Sequence, residues 1–248
     1  MKTERFSRWH VVLSVFVVML LVMAVGCGRD GAVQKSAEEG LSGYIDIIGS
    51  NTVTPISSAW AEEFMKLNPA VSISVSGPGS GAGIAALINK TTGVCQSSRP
   101  ITESEIEKAA ANGVSVVEHS IAADGIAMVV HPSNPVNDLT LEQISGIYTG
   151  KITNWNQVGG NNAPIVLLSR DIASGTYAFF LEEVVQQTIL NGSRNRDLNF
   201  APRVQLLPST SQGIGQTAGN ANAIFYSGLG FVDSSVKVLG IRKTAKDP

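Results

Sequence analysis

Cysteine and histidine are scarce: two cysteines, Cys27 and Cys95, and three histidines in 248 residues. A disulfide framework is excluded, and so is a Cys/His zinc cluster. Acid–base chemistry has little to draw on. His10 lies in the N-terminal leader, and neither His119 nor His131 adjoins a nucleophile motif. A Gly-x-Ser-x-Gly elbow and a Gly-Lys-Ser/Thr phosphate loop are both missing. Basic residues form no block and the formal net charge is −2, which argues against a nucleic-acid partner. The chain is not expected to be an enzyme, and nothing in it calls for a metal or a cofactor.

What the chain does have is apolar content, at 44%, and 25 glycines among frequent Ser, Thr and Asn. That suffices for a real core in one domain or two modest ones. Lys2, Arg5 and Arg8 precede an apolar stretch, Val11 to Val25, broken by Ser14. This length suits an export signal better than a membrane span. Ala24-Val25-Gly26-Cys27 resembles a lipobox with Ala24 at the position where Leu is commoner. The expectation is a signal peptide over 1–26, lipid on Cys27, and a polar tether over 27–43. Export without a disulfide leaves stability to the core, and Cys95 in its apolar setting reads as a buried structural thiol.

Beyond the tether, apolar runs alternate with helical periodicity. Strands are predicted at Tyr44–Ile48, Val71–Val75, Val94–Ser97, Val114–Val117, Ile121–Val130, Ile165–Leu168, Leu206–Pro208, Ala223–Tyr226 and Gly230–Val232. A helix opens at Pro55 with Ile56, Trp60, Phe64 and Leu67 as its apolar stripe. Thr102 with Glu105, and Thr140 with Gln143, form capping boxes. The alternation predicts an α/β fold with mainly parallel sheets. Ligands of such sheets lie beyond the carboxyl ends of the strands. Four strand-to-helix turns there are rich in donors: Ser50-Asn51-Thr52, Ser80-Gly81, Ser98-Arg99 and Ser174-Gly175-Thr176, the last with Arg170 just upstream. One such turn is ordinary capping. Several together, with two arginines, suit a tetrahedral oxyanion. One helix terminus contributes about 0.3–1 kcal/mol. A hydrogen bond to a charged group contributes about 1.5–3 kcal/mol, and micromolar binding needs about 8 kcal/mol. Convergence of the turns is therefore required.

These blocks resemble, in order, a known family. Gly49-Ser-Asn-Thr-Val-Thr-Pro, Gly79-Ser-Gly-Ala-Gly, Ser97-Ser-Arg-Pro-Ile, Ile147-Tyr-Thr-Gly-Lys-Ile-Thr-Asn-Trp-Asn, Ser169-Arg-Asp-Ile-Ala-Ser-Gly-Thr and Gly228-Leu-Gly-Phe-Val-Asp are similar to segments of the exported phosphate-binding proteins of high-affinity phosphate ABC transporters. The resemblance runs from about Ile47 to Val238. It implies a two-lobed clamshell of type II periplasmic-binding-protein kind, with 44–121 plus 228–248 in lobe 1 and 122–227 in lobe 2. Crossings between lobes are expected near Ala122–Gly125 and Ala223–Gly228. It implies phosphate held by Ser50, Asn51, Thr52, Ser80, Ser98, Arg99, Arg170, Ser174, Gly175 and Thr176. Asp171 would orient Arg170, and Asp124 would act as hinge residue or acceptor. The implied protein is a monomer anchored to the cell envelope, delivering phosphate to a membrane permease. Another oxyanion (sulfate, molybdate, tungstate) is the alternative, a phosphatase-like enzyme the lesser one. Some relatives carry Asp where Ser98 stands, so a proton acceptor for phosphate has to come from elsewhere. Relatives also continue with a segment that returns to lobe 1, so this lobe is expected to be short of a closing element.

Overall fold

The computed structural model describes residues 40–244. The expected signal peptide, Cys27 and most of the tether lie outside the described residues, as does the tail after 244.

The first unit is a parallel three-stranded sheet in the order β2-β1-β3, formed by β1 (Gly43–Gly49), β2 (Val71–Ser76) and β3 (Val94–Gln96). Between them run α1 (Thr54–Leu67) and α2 (Ser80–Ile88), and α3 (Glu103–Ala111) follows. Pro55 falls in the first turn of α1, where its missing N–H costs nothing. Both expected capping boxes form: Thr102 with Glu105 opens α3, and Thr140 with Gln143 opens α4 (Leu141–Tyr148).

The second unit centres on a five-stranded sheet, β7-β6-β8-β4-β9. Its strands are β4 (Ile126–Val130), β6 (Val166–Arg170), β7 (Gln205–Leu207), β8 (Ala223–Gly228) and β9 (Lys237–Val238). Strand β6 runs parallel to β7 and β8, while β4 is antiparallel to β8 and β9. A small parallel pair joins β5 (Asp138–Thr140) to β10 (Gly240–Arg242). Helix α5 (Gly175–Phe180) continues into a π turn over Leu181–Val185 and is followed by α6 (Thr188–Asn191). Helix α7 (Thr210–Ala218) packs on β8 and β6.

Three expectations are corrected. Residues 114–125 form no strand and serve as the link between units. Leu229–Phe231 is a turn of 3-10 helix instead of a strand. Residues after Gly228, expected in lobe 1, stay with the second unit. Leu229 N–H bonds Gly125 O, β9 pairs with β4, and β10 pairs with β5. The free edges of β4 and β5 take them up. The described chain therefore crosses between units near 112–125 and does not return.

Both apolar clusters of the described residues belong to the second unit. One is built on Tyr148, Trp155, Phe180 and Tyr226, the other on Leu168, Leu207 and Phe225. Trp155 is buried and donates Nε1–H to Asn222 O at 3.0 Å. In the first unit the buried apolar side chains among the described residues are Ala61, Val71, Ile84 and Ala109. Helix α1 faces its sheet with Ser57, Ala61 and Met65, whose sulfur accepts the Ile73 N–H. Its large stripe stays outside, with Ile56, Trp60, Phe64 and Leu67 exposed by 40, 54, 38 and 81%. Cys95 is half-buried, and burial pushes its thiol up to about 11.

Candidate anion site between the two sheets

The first turn is fixed by a glycine and a glutamine. Gly49 has φ +153°, and a Cβ there would lie 1.9 Å from Gln96 O, so only glycine lets β1 end beside β3. Ser50 N–H then donates to Gln96 O at 2.7 Å. The buried Gln96 side chain donates to Ser50 O, Thr54 Oγ1 and Ser76 O. Ser50 Oγ accepts the Thr52 N–H at 3.2 Å, as a helix-start hydroxyl does.

The second and third turns meet through hydroxyls. Ser80 Oγ lies 3.2 Å from Ser98 Oγ and accepts the Ser98 N–H at 3.1 Å. From the other unit, the start of α5 seats directly on this pair. A Cβ on Gly175 would lie 2.5 Å from Ser80 Oγ and 2.6 Å from Ser98 Oγ. Gly81 N–H donates to Ala173 O at 3.0 Å, and Thr52 Oγ1 lies 3.1 Å from Thr176 Oγ1. Ser174 caps α5 by accepting the Tyr177 N–H. Of the expected site residues, Ser50, Asn51, Thr52, Ser80, Ser98, Ser174, Gly175 and Thr176 thus cluster where the two sheets face each other.

Arg170 ends β6 at the same place and is 1% exposed. Its Nη1 donates to Thr210 Oγ1 at 2.6 Å and its Nη2 to Pro208 O at 3.0 Å, while Nε has no partner among the described residues. Among the described residues no carboxylate forms a salt bridge with it. Burial pulls its pKa down, and the field of Asp171 opposes that. Asp171 does not grip the guanidinium. Its Oδ1 accepts the Ala173 N–H at 3.0 Å and so shapes the turn that leads to Ser174.

Arg99 is not brought to the cluster. Both guanidinium nitrogens Nη1 and Nη2 bond Glu105, at 2.9 and 2.7 Å, and Nη1 also bonds Pro100 O. Asp124 sits at the link, with Oδ1 accepting the Gly125 N–H at 2.8 Å. Its Oδ2 lies beside Gly228, 2.6 Å from where a Cβ would stand, and Thr52 Cγ2 is 3.3 Å from that same point.

Residues 34–244 match the model of the PBP superfamily domain. The chain belongs to the PBP superfamily. Within it, the chain is 34% identical over 178 residues to the phosphate-binding protein PstS of Bacillus subtilis, covering 69% of this chain and 58% of that protein. It is 35% identical over 212 residues to PstS of Staphylococcus saprophyticus, covering 84% of this chain and 65% of that one. It thus spans less than two thirds of these relatives. It superposes with TM-score 0.68 and 36% identity on a crystal structure from Clostridium perfringens, named for a phosphate ABC transporter substrate-binding protein with bound phosphate, over 83% of this chain and 79% of that one.

For a PBP-superfamily chain, three side chains at this cluster escaped sequence reasoning. Thr210, 2% exposed, donates its N–H across the units to Asn51 Oδ1 at 3.2 Å. Its signal was the Ser209-Thr210-Ser211 helix start, indistinguishable from ordinary capping. Tyr226 sits within an apolar strand, yet its hydroxyl lies 2.7 Å from Ser169 Oγ and accepts the Arg170 N–H at 3.2 Å. Burial raises its pKa, so it stays a neutral phenol. Gln96 occupies a three-residue strand and left no sign of its role.

Proposed function

We propose that this protein binds inorganic phosphate between its two units and passes it to the permease of an ABC transporter, without catalysing a reaction. One observation carries the reading: Arg170 is a buried cation that, among the described residues, has an unpartnered Nε and no salt-bridge partner, at a helix start crowded with hydroxyls. An uncompensated buried charge is costly. A tetrahedral anion supplies the missing charge and accepts from Arg170, Ser50, Thr52, Ser80, Ser98, Ser174 and the N–H groups of Gly175 and Thr176. Four such charge-assisted bonds at about 1.5–3 kcal/mol each cover the roughly 8 kcal/mol of micromolar affinity. The names of the relatives support phosphate among the oxyanions.

With Ser at position 98, Asp124 is the acceptor for a phosphate proton in this reading. Its Oδ2 stands at the link beside Gly228 and Thr52. A carboxylate there repels fully deprotonated sulfate and accepts from hydrogen phosphate. The export signal over 1–26 and lipid on Cys27 complete the proposal: the domain is held at the envelope as a monomer, and the permease reads its closed form.

Calorimetric titration of the full chain, stripped of ligand, tests this. Phosphate is expected to bind at micromolar or better, Arg170→Ala to lose at least about 100-fold, and sulfate to give no heat. Asp124→Asn is expected to admit sulfate. A folded native chain that takes up sulfate or molybdate in place of phosphate, or no anion at all, overturns the proposal.

A further inference from the structure

Deepening the phosphate reading, on which it rests, we infer that the Asn51 side chain is a closure latch and not a ligand to the anion. Its carbonyl is already engaged. Asn51 Oδ1 accepts the Thr210 N–H at 3.2 Å from the other unit. That N–H is one of the orphan donors at the start of α7. Ser209 Oγ serves Gln212 instead, at 3.2 Å, so the Thr210 N–H is left for a partner outside its own helix. With Thr210 buried, closing the units without Asn51 would strand a donor in the interior.

The same residue faces the anion site through its hydroxyl, since Thr210 Oγ1 accepts from Arg170 Nη1 at 2.6 Å. Arg170, Thr210 and Asn51 therefore form a chain from the guanidinium to the first unit. An anion drawn to Arg170 holds the guanidinium in place. The guanidinium holds Thr210, and Thr210 presents its N–H to Asn51. The last bond exists only while the units touch. In an open form both groups return to water. A contact of that kind adds nothing to capture and acts on release.

The prediction is a kinetic split. In the full chain, release of radiolabelled phosphate from Asn51→Ala is expected to be about five- to tenfold faster, with association unchanged. Thr210 stands at the first helical position of α7, where proline is well accepted. Thr210→Pro deletes the N–H, and Thr210→Val serves as control for loss of the hydroxyl. Asn51→Ala should accelerate release in the Thr210→Val chain and have no effect in the Thr210→Pro chain. Slower association with unchanged release would make Asn51 a ligand or a steering group and overturn the latch. So would an undiminished Asn51→Ala effect in the Thr210→Pro chain. Should Thr210→Pro not fold, the association–release split alone decides. A native chain that binds phosphate while Asn51→Ala changes neither rate overturns the latch and leaves the phosphate reading standing. A native chain that binds no phosphate overturns both.

Discussion

Arg99 and Arg170 carry the same charge at the ends of neighbouring strand-to-helix turns, and they do opposite things. Arg99 spends its fork on Glu105, which simultaneously receives the Thr102 N–H and hydroxyl, so one carboxylate ties the third turn to the start of α3. Arg170 spends its fork on a threonine and a carbonyl, neither of which cancels charge. The hydrogen bond from Arg99 holds the Glu105 carboxyl down at about 2, against an ordinary 4.5. A depressed carboxyl stabilises the fold above its ordinary value and ceases to do so as pH falls toward the depressed one. Melting temperature of the native chain is therefore expected to drop between about pH 4.5 and pH 2 more steeply than that of Glu105→Gln. Parallel curves for the two chains would show that Glu105 adds nothing. Sequence placed both arginines at the site because spacing gives each a turn. What separates them is a partner six residues on, already visible as the capping-box glutamate but readable there only as a cap.

At the scale of elements, local chemistry was legible and tertiary cover was not. Pro55, the two capping boxes and the Ser174 and Ser209 caps stand where propensity puts them, because each is decided within four residues. The 114–117 run and the Gly230–Val232 run look like strands by composition but pair with no strand among the described residues. Helix α1 shows the limit most clearly. Its Ile56, Trp60, Phe64 and Leu67 repeat at helical spacing, and the helix forms. The side that meets the sheet is nevertheless the one with Ser57 and Ala61. Periodicity locates a stripe without saying that anything lies on it. Denaturant unfolding should register this: Trp60→Ser is expected to cost less than about 1 kcal/mol and Trp155→Ala about 3–5 kcal/mol. Comparable losses at the two positions would mean that the α1 stripe is covered in solution.

Taken whole, apolar burial among the described residues is lopsided. The anion cluster draws Ser50, Thr52, Ser80 and Ser98 from a unit with four buried apolar side chains among the described residues, and it draws Arg170, Ser174 and Thr176 from a unit built around two apolar clusters. Opening free energy follows buried apolar contact. Amide hydrogen exchange is accordingly expected to be faster in β1, β2 and β3 than in β4, β6 and β8. Added phosphate should slow the first unit most, since ligand binding to the native form raises its apparent stability. Uniform protection across both units would contradict the asymmetry. The convergence of the donor turns was legible in advance, because parallel strands deliver their carboxyl ends to one edge. The path of the chain after Gly228 was not, because a two-residue and a three-residue strand choose their sheet by whichever edge is free.

That path has a mechanical consequence. A pair of strands crossing between two bodies acts as a door hinge: it permits one angle and forbids twist. Among the described residues a single segment, 112–125, joins the two units, while β9 and β10 fold back on the side they came from. One thread permits swivel and slide as well as opening. Orientation of the two halves is then supplied at the mouth, by Thr52 against Thr176, Gly81 against Ala173 and Asn51 against Thr210. On the proposed phosphate reading, a bound anion is a locating pin among these contacts: it fixes rotational freedoms that one tie among the described residues leaves loose.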